Sequence, residues 1–112
     1  MLVWWLDRDE AVRRVAAAAR ALVQGHPEVQ EVYLFGSLAR GEACPGSDAD
    51  VLVVLAETTQ SFTERAPAYS LEVPGLSCDV LAYTATEIES MRAGGNGLVT
   101  GALREGIRLA GR

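Results

Sequence analysis

The feature that most constrains the fold is an unbroken apolar run, Val-Leu-Val-Val-Leu, at residues 51–55. Most of its residues are β-branched, and no polar residue alternates with them. A strand of this kind has no face suited to water, so it is typical of a sheet covered on both faces. The run therefore predicts a buried strand that begins near Ala49 and needs helices packed against it.

The rest of the chain alternates between helix and strand patterns. Apolar residues recur at helical spacing over residues 8–24 and 98–109, which predicts a first and a final helix. Residues 29–35 and 76–83 are rich in β-branched, apolar and aromatic residues and predict two more strands. Capping boxes that begin at Ser61 and Thr84 predict short helices. The predicted order is αβ(α)βαβαα, with a mixed sheet around the three strands.

Composition restricts the possible functions. A chain of 112 residues that is 49% hydrophobic and 22% charged predicts a single globular domain over 1–112. The net charge of −5 makes nucleic acid an unsuitable partner, because that binding depends on attraction to phosphates. All ten cationic side chains are arginines, which excludes mechanisms that need a lysine. Two cysteines and one histidine cannot supply a zinc site without carboxylates, and a Cys–His nucleophilic pair is left only as a formal alternative.

The apolar segment at residues 1–6 is too short for a signal or membrane segment, and it has no basic flank. We therefore expect a cytoplasmic location, no membrane partner, and free thiols at both cysteines.

Three of the five aspartates stand where helix capping does not account for them. Asp48 and Asp50 lie two residues apart at a strand start, so both side chains point to one face. Asp79 interrupts an apolar strand, where an ionised carboxylate is costly without a positive partner. If the two strands are neighbours, the three carboxylates converge, and Mg²⁺ or Mn²⁺ would relieve their repulsion. The alternative for Asp48 and Asp50 alone is a loop that caps a helix.

The dipeptide Gly36-Ser37 follows the first predicted strand directly and opens a short helix or turn. Glycine lets a backbone approach a phosphate closely, and the following amides and the Ser37 hydroxyl can donate to phosphate oxygens. The spacing to Gly41 imitates a P-loop, but Glu42 stands where that motif needs lysine. Arg40 is a candidate cation for a triphosphate or a leaving pyrophosphate, and a solvated loop cation is the alternative.

These elements form a three-part motif that resembles the signature of the polymerase-β-like nucleotidyltransferase superfamily: Gly36-Ser37, then Asp48-Ala49-Asp50 after ten residues, then a strand-borne Asp79. The short chain is similar to the minimal nucleotidyltransferase (MNT) members. The resemblance implies an α+β (two-layer α/β) fold, with a small mixed sheet and helices packed on one face. It also implies a transferase that moves a nucleoside monophosphate from a nucleoside triphosphate to a hydroxyl and releases pyrophosphate, with two Mg²⁺ ions or Mn²⁺ in their place.

The roles implied by the resemblance fall on five residues. Asp48 and Asp50 would be catalytic metal ligands, and Asp50 would bridge both ions. Asp79 would bind the catalytic ion and help to deprotonate the acceptor. Gly36 and Ser37 would bind the β- and γ-phosphates of the nucleotide.

The resemblance also implies partners. Minimal members are often paired with a small all-helical HEPN protein as antitoxin and toxin, and the MNT chain adenylylates a tyrosine of that partner with ATP. Because no stretch of the chain is left to enclose an acceptor, we expect a partner protein to present it, docked at residues 2–6 or at the C-terminal helix. The alternative function is a non-catalytic nucleotide-binding antitoxin that neutralises its partner by occlusion. The oligomeric state stays open, including a homo-oligomer.

Overall fold

The structure is a computed structural model that describes residues 8–42 and 48–112. None of the helices in this part of the chain is both long and apolar enough to cross a membrane. The elements of the described residues follow in this order: α1 (Arg8–Gly25), β1 (Val29–Phe35), α2 (Gly36–Arg40), β2 (Ala49–Leu55), α3 (Phe62–Ala68), β3 (Cys78–Thr84), α4 (Ala85–Ala93), α5 (Gly97–Glu105) and β4 (Ile107–Gly111).

The four strands form one mixed sheet with the order β3-β2-β1-β4. β1 is antiparallel to both β2 and β4, whereas β2 and β3 are parallel. A parallel pair needs a long crossover, and the segment that contains α3 supplies it. The mixed sheet around the three predicted strands is confirmed, and β2 and β3 are the neighbours that convergence of the carboxylates requires.

Helices cover both faces of the sheet. Alternate residues of β2 belong to separate apolar clusters: Val51, Val53 and Leu55 pack in the cluster of α1, and Leu52 and Val54 pack in that of α4 and α5. The α+β class is confirmed, but the expectation of helices on one face has to be corrected. A strand that is apolar at every position must be covered on both sides, as the run at 51–55 itself indicates.

The C-terminal segment also differs from the prediction. The helix predicted over 98–109 ends at Glu105, and β4 follows it and pairs with β1. A side chain at Gly106 would overlap backbone atoms of α5, so the chain can turn away from the helix at this glycine. Leu109 is buried and Ile107 packs beside it in the cluster of α1. Their two-residue spacing suits a strand, although Leu109 also continues the helical spacing of the preceding residues.

One buried cation ties three elements together. Arg65 of α3 is only 7% exposed. Its guanidinium donates to both carboxylate oxygens of Glu87 in α4, at 2.7 and 3.2 Å, and to the carbonyl oxygen of Ala82 in β3, at 3.2 Å. Glu87 also closes the capping box with Thr84 at the start of α4. Arg65 therefore fixes the crossover helix to the edge strand and to the helix that follows.

We expect Glu87→Gln to destabilise the fold by about 1–3 kcal/mol, because the buried Arg65 guanidinium loses its charged acceptor. The Glu87 side chain is 39% exposed, which places the loss toward the lower end. Arg65 lowers the pKa of Glu87 below its ordinary 4.5. The stabilisation is therefore complete above that value and is lost as the pH falls through the lower, folded value. Urea titrations should show the difference from the unmodified protein at neutral pH and its loss in acid.

The matched control is Glu89→Gln on the same helix. Glu89 pairs with Arg92 at 3.6 Å, and both side chains are largely exposed, so its loss should be no more than a few tenths of a kcal/mol. Equal losses for the two variants would contradict the role assigned to Arg65.

Candidate functional site

The end of β1 and the starts of β2 and β3 lie together at one end of the strands. In the strand register, Phe35 stands opposite Asp50, and Asp50 stands opposite Asp79. Residues directly opposite each other present their side chains to the same face. The structure therefore brings Asp50 and Asp79 together, on the face of the sheet that carries α4 and α5.

Asp48, the third predicted carboxylate, lies one residue before β2 and is exposed. It borders residues 43–47, which are outside the described part of the chain. Asp48 and Asp50 have the two-residue spacing that places them on one face of an extended chain. Its charge reaches the site, since Asp48 contributes to the raised pKa of Asp50.

The fold opposes ionisation of Asp50. Its pKa is raised above the ordinary 3.8, first by burial and then by the charges of Asp79 and Asp48, and Arg40 offsets only part of this effect. No side chain in residues 8–42 or 48–112 forms a hydrogen bond or an ion pair with any of the three carboxylates. The site therefore disfavours a charged Asp50 unless a positive charge is brought to it.

The donor set can be tested against a divalent cation. Within the described residues, no group of three or more His, Cys, Asp or Glu side chains is close enough to hold an ion by itself. Asp50 and Asp79 nevertheless offer a pair of oxygen donors, with Asp48 beside them. Mg²⁺ is commonly held by one or two carboxylates together with the phosphates of a substrate, so these residues fit a metal that arrives with a nucleotide.

Gly36 opens α2 directly beside this pair. Its φ of +78° lies in the region that favours glycine. A Cβ at this position would also overlap the Oδ2 atom of Asp50. Two independent constraints thus require glycine, and the second brings the backbone of α2 into contact with the central carboxylate.

Ser37 follows Gly36 and is half-buried. Its hydroxyl makes no hydrogen bond to any residue in the described ranges. Arg40, at the end of α2, is exposed, and its Nε donates to the Glu42 carboxylate at 2.5 Å. Arg40 and Gly36 line one groove of about 220 Å³ between α2 and α5. The structure therefore places Gly36 against Asp50, brings the charge of Arg40 within reach of Asp50, and engages Arg40 with Glu42.

A residue that sequence reasoning did not single out anchors α2. Arg8 donates to the carbonyl oxygens of Leu38 at 3.0 Å and Ala39 at 2.6 Å, across about 30 residues of chain. Both carbonyls belong to the last turn of the short helix, where intrahelical donors run out, and the Leu38 oxygen also accepts from the Gly41 amide at 3.3 Å. Arg8 is the first residue of α1, where the helix dipole disfavours a cation. That unfavourable placement is the signal in the sequence for a role outside its own helix.

Cys78 and His26 lie at opposite ends of the strands. Cys78 packs against the core, and burial raises the pKa of its thiol to about 11, so it stays neutral. His26 precedes the start of β1, at the end of the strands away from the carboxylates. It lies 3.6 Å from the Glu28 carboxylate and edge-on to the Tyr69 ring. Cys44 is outside the described residues. Cys78 and His26 therefore do not form a nucleophilic pair.

Comparison with known proteins decides the family. The family model described as "Nucleotidyltransferase domain" matches residues 12–108. The chain belongs to this family. No curated protein sequence matches the chain significantly.

Solved structures share the nucleotidyltransferase fold. A candidate nucleotidyltransferase from Sulfolobus solfataricus is 20% identical with a TM-score of 0.59, and the match covers 94% of this chain and 87% of that one. A toxin–antitoxin structure with AMP-PNP is 22% identical with a TM-score of 0.51. A toxin–antitoxin MntA–HpeT variant with two Asp-to-Glu substitutions is 19% identical with a TM-score of 0.50. Both of these matches cover 82% of this chain and 69% of the other.

We expect Gly36→Ala to destabilise this nucleotidyltransferase domain more than Gly95→Ala. Both glycines have nearly the same φ, +78° and +77°, so both variants lose about 1–2 kcal/mol to the left-handed backbone. Only Gly36 adds an overlap, since a Cβ at Gly95 would have no atom within 4 Å. Urea unfolding of the two variants measures the difference.

A double variant identifies the source of the excess loss. Adding Asp50→Ala to Gly36→Ala removes the carboxylate oxygen that the new methyl group would overlap, so most of the excess should be recovered. A cycle with no coupling between the two positions would show that the Asp50 contact is not what demands glycine.

Proposed function

We propose that this chain transfers AMP from ATP to a hydroxyl group of a partner protein, with Asp48, Asp50 and Asp79 as the catalytic carboxylates. The observation that carries the proposal is a row formed by the start of α2 and two neighbouring strands: a backbone without a side chain at Gly36, then Asp50 of β2, then Asp79 of β3. Membership of the nucleotidyltransferase domain family supports the reaction class. Phosphoryl transfer requires a backbone that a phosphate can approach closely, next to a pair of carboxylates.

In the proposed reaction, the acceptor oxygen attacks the α-phosphorus of ATP. The new P–O bond forms as the bond from the α-phosphorus to the bridging oxygen breaks, and pyrophosphate leaves with the electron pair. Asp79 takes the proton of the hydroxyl and passes it to water. The amides at the start of α2 and the Ser37 hydroxyl hold the departing β- and γ-phosphates, with Arg40 as a nearby cation.

The carboxylates would hold the metal that such a reaction uses. Asp48, Asp50 and Asp79 would hold two ions, and Asp50 would be a ligand of both. Bound Mg²⁺, or Mn²⁺ in its place, would neutralise these charges and those developing on the phosphates. One solved relative carries two Asp-to-Glu substitutions placed two positions apart, which is also the spacing of Asp48 and Asp50.

The acceptor that we propose is a tyrosine of a small helical HEPN-type toxin. Support comes from two structural relatives that are described as toxin–antitoxin structures, one of them with AMP-PNP. Of the two expected docking surfaces, residues 2–6 lie outside the described residues. The other, the C-terminal helix, is α5 and is followed by β4.

We expect ATP binding to depend on a divalent metal. The three carboxylates repel the triphosphate until Mg²⁺ or Mn²⁺ is added, so calorimetry in EDTA should show weak binding. Asp50→Asn removes one negative charge and one proposed metal ligand. The variant should therefore bind ATP no more weakly than the unmodified protein in EDTA, but clearly more weakly than it with Mg²⁺. Equal affinity of the unmodified protein with and without metal would contradict the metal site.

Ser37→Ala tests the phosphate contact. A lost hydrogen bond to a charged phosphate costs about 1.5–3 kcal/mol, so ATP affinity should fall roughly ten- to hundredfold. AMP has no β- or γ-phosphate, and its affinity should change little. If both affinities fell together in titrations, Ser37 would have a structural role instead.

Asp79→Asn tests catalysis apart from docking. Purified chain and partner are incubated with α-labelled ATP and Mg²⁺, and mass spectrometry locates the label. We expect AMP on a tyrosine of the partner, and we expect Asp79→Asn to remove transfer while the complex still forms. Label on neither protein, although the complex has formed and the metal is present, would favour the non-catalytic antitoxin.

A further inference from the structure

The proposed function fixes the direction from which an acceptor must approach. Gly36 and Ser37, at the β1 end of the row, hold the leaving pyrophosphate. In-line displacement places the attacking oxygen opposite the leaving group. The acceptor hydroxyl must therefore enter from the β3 end, where Asp79 is exposed.

A cleft of about 490 Å³ opens at this end. It lies between the edge strand β3 and the crossover helix α3. Its lining includes Asp50 of β2, then Asp79, Val80 and Leu81 of β3, together with Ala66 of α3 and Ser70 just beyond that helix.

Beyond the residues that line the cleft, an aromatic pair joins the two elements: Phe62, which is exposed, and Tyr83, which is partly buried. On β3, Asp79, Leu81 and Tyr83 alternate and so point to the same face. On α3, Phe62 and Ala66 are four residues apart and share one side of the helix. Phe62 is 46% exposed and stacks on Tyr83 with ring centroids 5.2 Å apart. We call the surface formed by these five residues the α3–β3 trough.

The trough also offers main-chain hydrogen-bonding groups. Ala49 donates to the carbonyl oxygen of Ser77 at 2.8 Å, which fixes the parallel ladder so that Asp79 and Leu81 turn their backbone groups toward β2. The N–H and C=O of Val80 therefore point outward and have no backbone partner within the described residues. The next outward carbonyl, that of Ala82, is already taken by Arg65.

We propose that the α3–β3 trough docks an extended segment of the acceptor protein, with its hydroxyl residue at Asp79 and an apolar side chain at the Phe62–Tyr83 pair. Four residues of strand separate the two ends, a distance of about 13 Å. An extended segment therefore carries its apolar residue four positions from the hydroxyl residue, and Val80 bonds to its main chain.

The occupant follows from where the trough begins. The trough is continuous with the proposed catalytic carboxylates, so its occupant would place a hydroxyl group at Asp79. This step rests on the proposed function. The chain has a net charge of −5, and both Asp48 and Asp79 are exposed at this end. A basic residue next to the hydroxyl residue complements them.

Synthetic peptides test the docking. The probe is a blocked peptide of about nine residues with a central tyrosine flanked by arginine, and leucine four positions away on each side to allow either chain direction. Its control has serine in place of both leucines. Binding is measured by fluorescence anisotropy with Mg²⁺ and a non-hydrolysable ATP analogue, and transfer is measured with α-labelled ATP.

The protein variants are Phe62→Ala, which removes the aromatic contact, and Ala66→Arg, which fills the trough. Ala17→Arg is the matched control, because Ala17 is also an exposed helical alanine but lies on α1. We expect the leucine peptide to bind at least about tenfold more tightly than the serine peptide. Phe62→Ala should lose this preference, and Ala66→Arg should lose binding and transfer. Ala17→Arg should change neither, and ATP affinity should stay the same in Phe62→Ala and Ala17→Arg.

Two results would overturn the proposal while leaving the proposed function intact. One is unchanged peptide transfer by Ala66→Arg, which would place the acceptor elsewhere. The other is normal ATP binding without binding or labelling of either peptide, which would show that an extended segment is not what the trough accepts. Failure of the unmodified protein to bind ATP with Mg²⁺ would instead count against the proposed function itself.

Discussion

The site depends on the register of β2. This strand is buried on both faces, with Val51, Val53 and Leu55 fully buried on one side and Leu52 on the other. A slip of one residue would exchange the faces of every side chain in the strand. The apolar pattern alone does not prevent that slip, because both faces are apolar. Asp50 does prevent the slip, because it is the one charged residue of the strand and its side chain must stay at the open start of β2, beside Asp79.

The contact between Gly36 and Asp50 completes this constraint. The turn from β1 into α2 needs a positive φ, and the place where it passes Asp50 has no room for a side chain. Arg8 then holds the other end of α2 through two carbonyl oxygens. The position of the short helix is thus set by packing at its start and hydrogen bonds at its end, since five residues are too few for a stable helix on their own.

What the sequence could predict is local. The run at 51–55, the capping box at Thr84 and the Gly36-Ser37 turn each carry their own pattern, and the structure has the expected element at each. The end of α5 was mispredicted because Leu109 fits a helical spacing as well as a strand spacing, and only pairing with β1 decides between them. The run at 51–55 indicates that both faces are covered, but which helices cover each face depends on tertiary packing, which no local pattern states. The bonds of Arg8 and Arg65 join positions far apart in the chain, so their spacing carries no motif.

An edge strand is ordinarily a liability, because its free backbone groups invite pairing with other chains. Here α3 covers part of that edge: Arg65 occupies the Ala82 carbonyl oxygen, and Phe62 stacks on Tyr83. The protection stops short of Val80, next to Asp79. A wholly covered edge would close the route that we propose for an acceptor toward Asp79, whereas a wholly open one would favour association between copies. The partial cover thus leaves the Asp79 end of the carboxylate row as the accessible part of the edge.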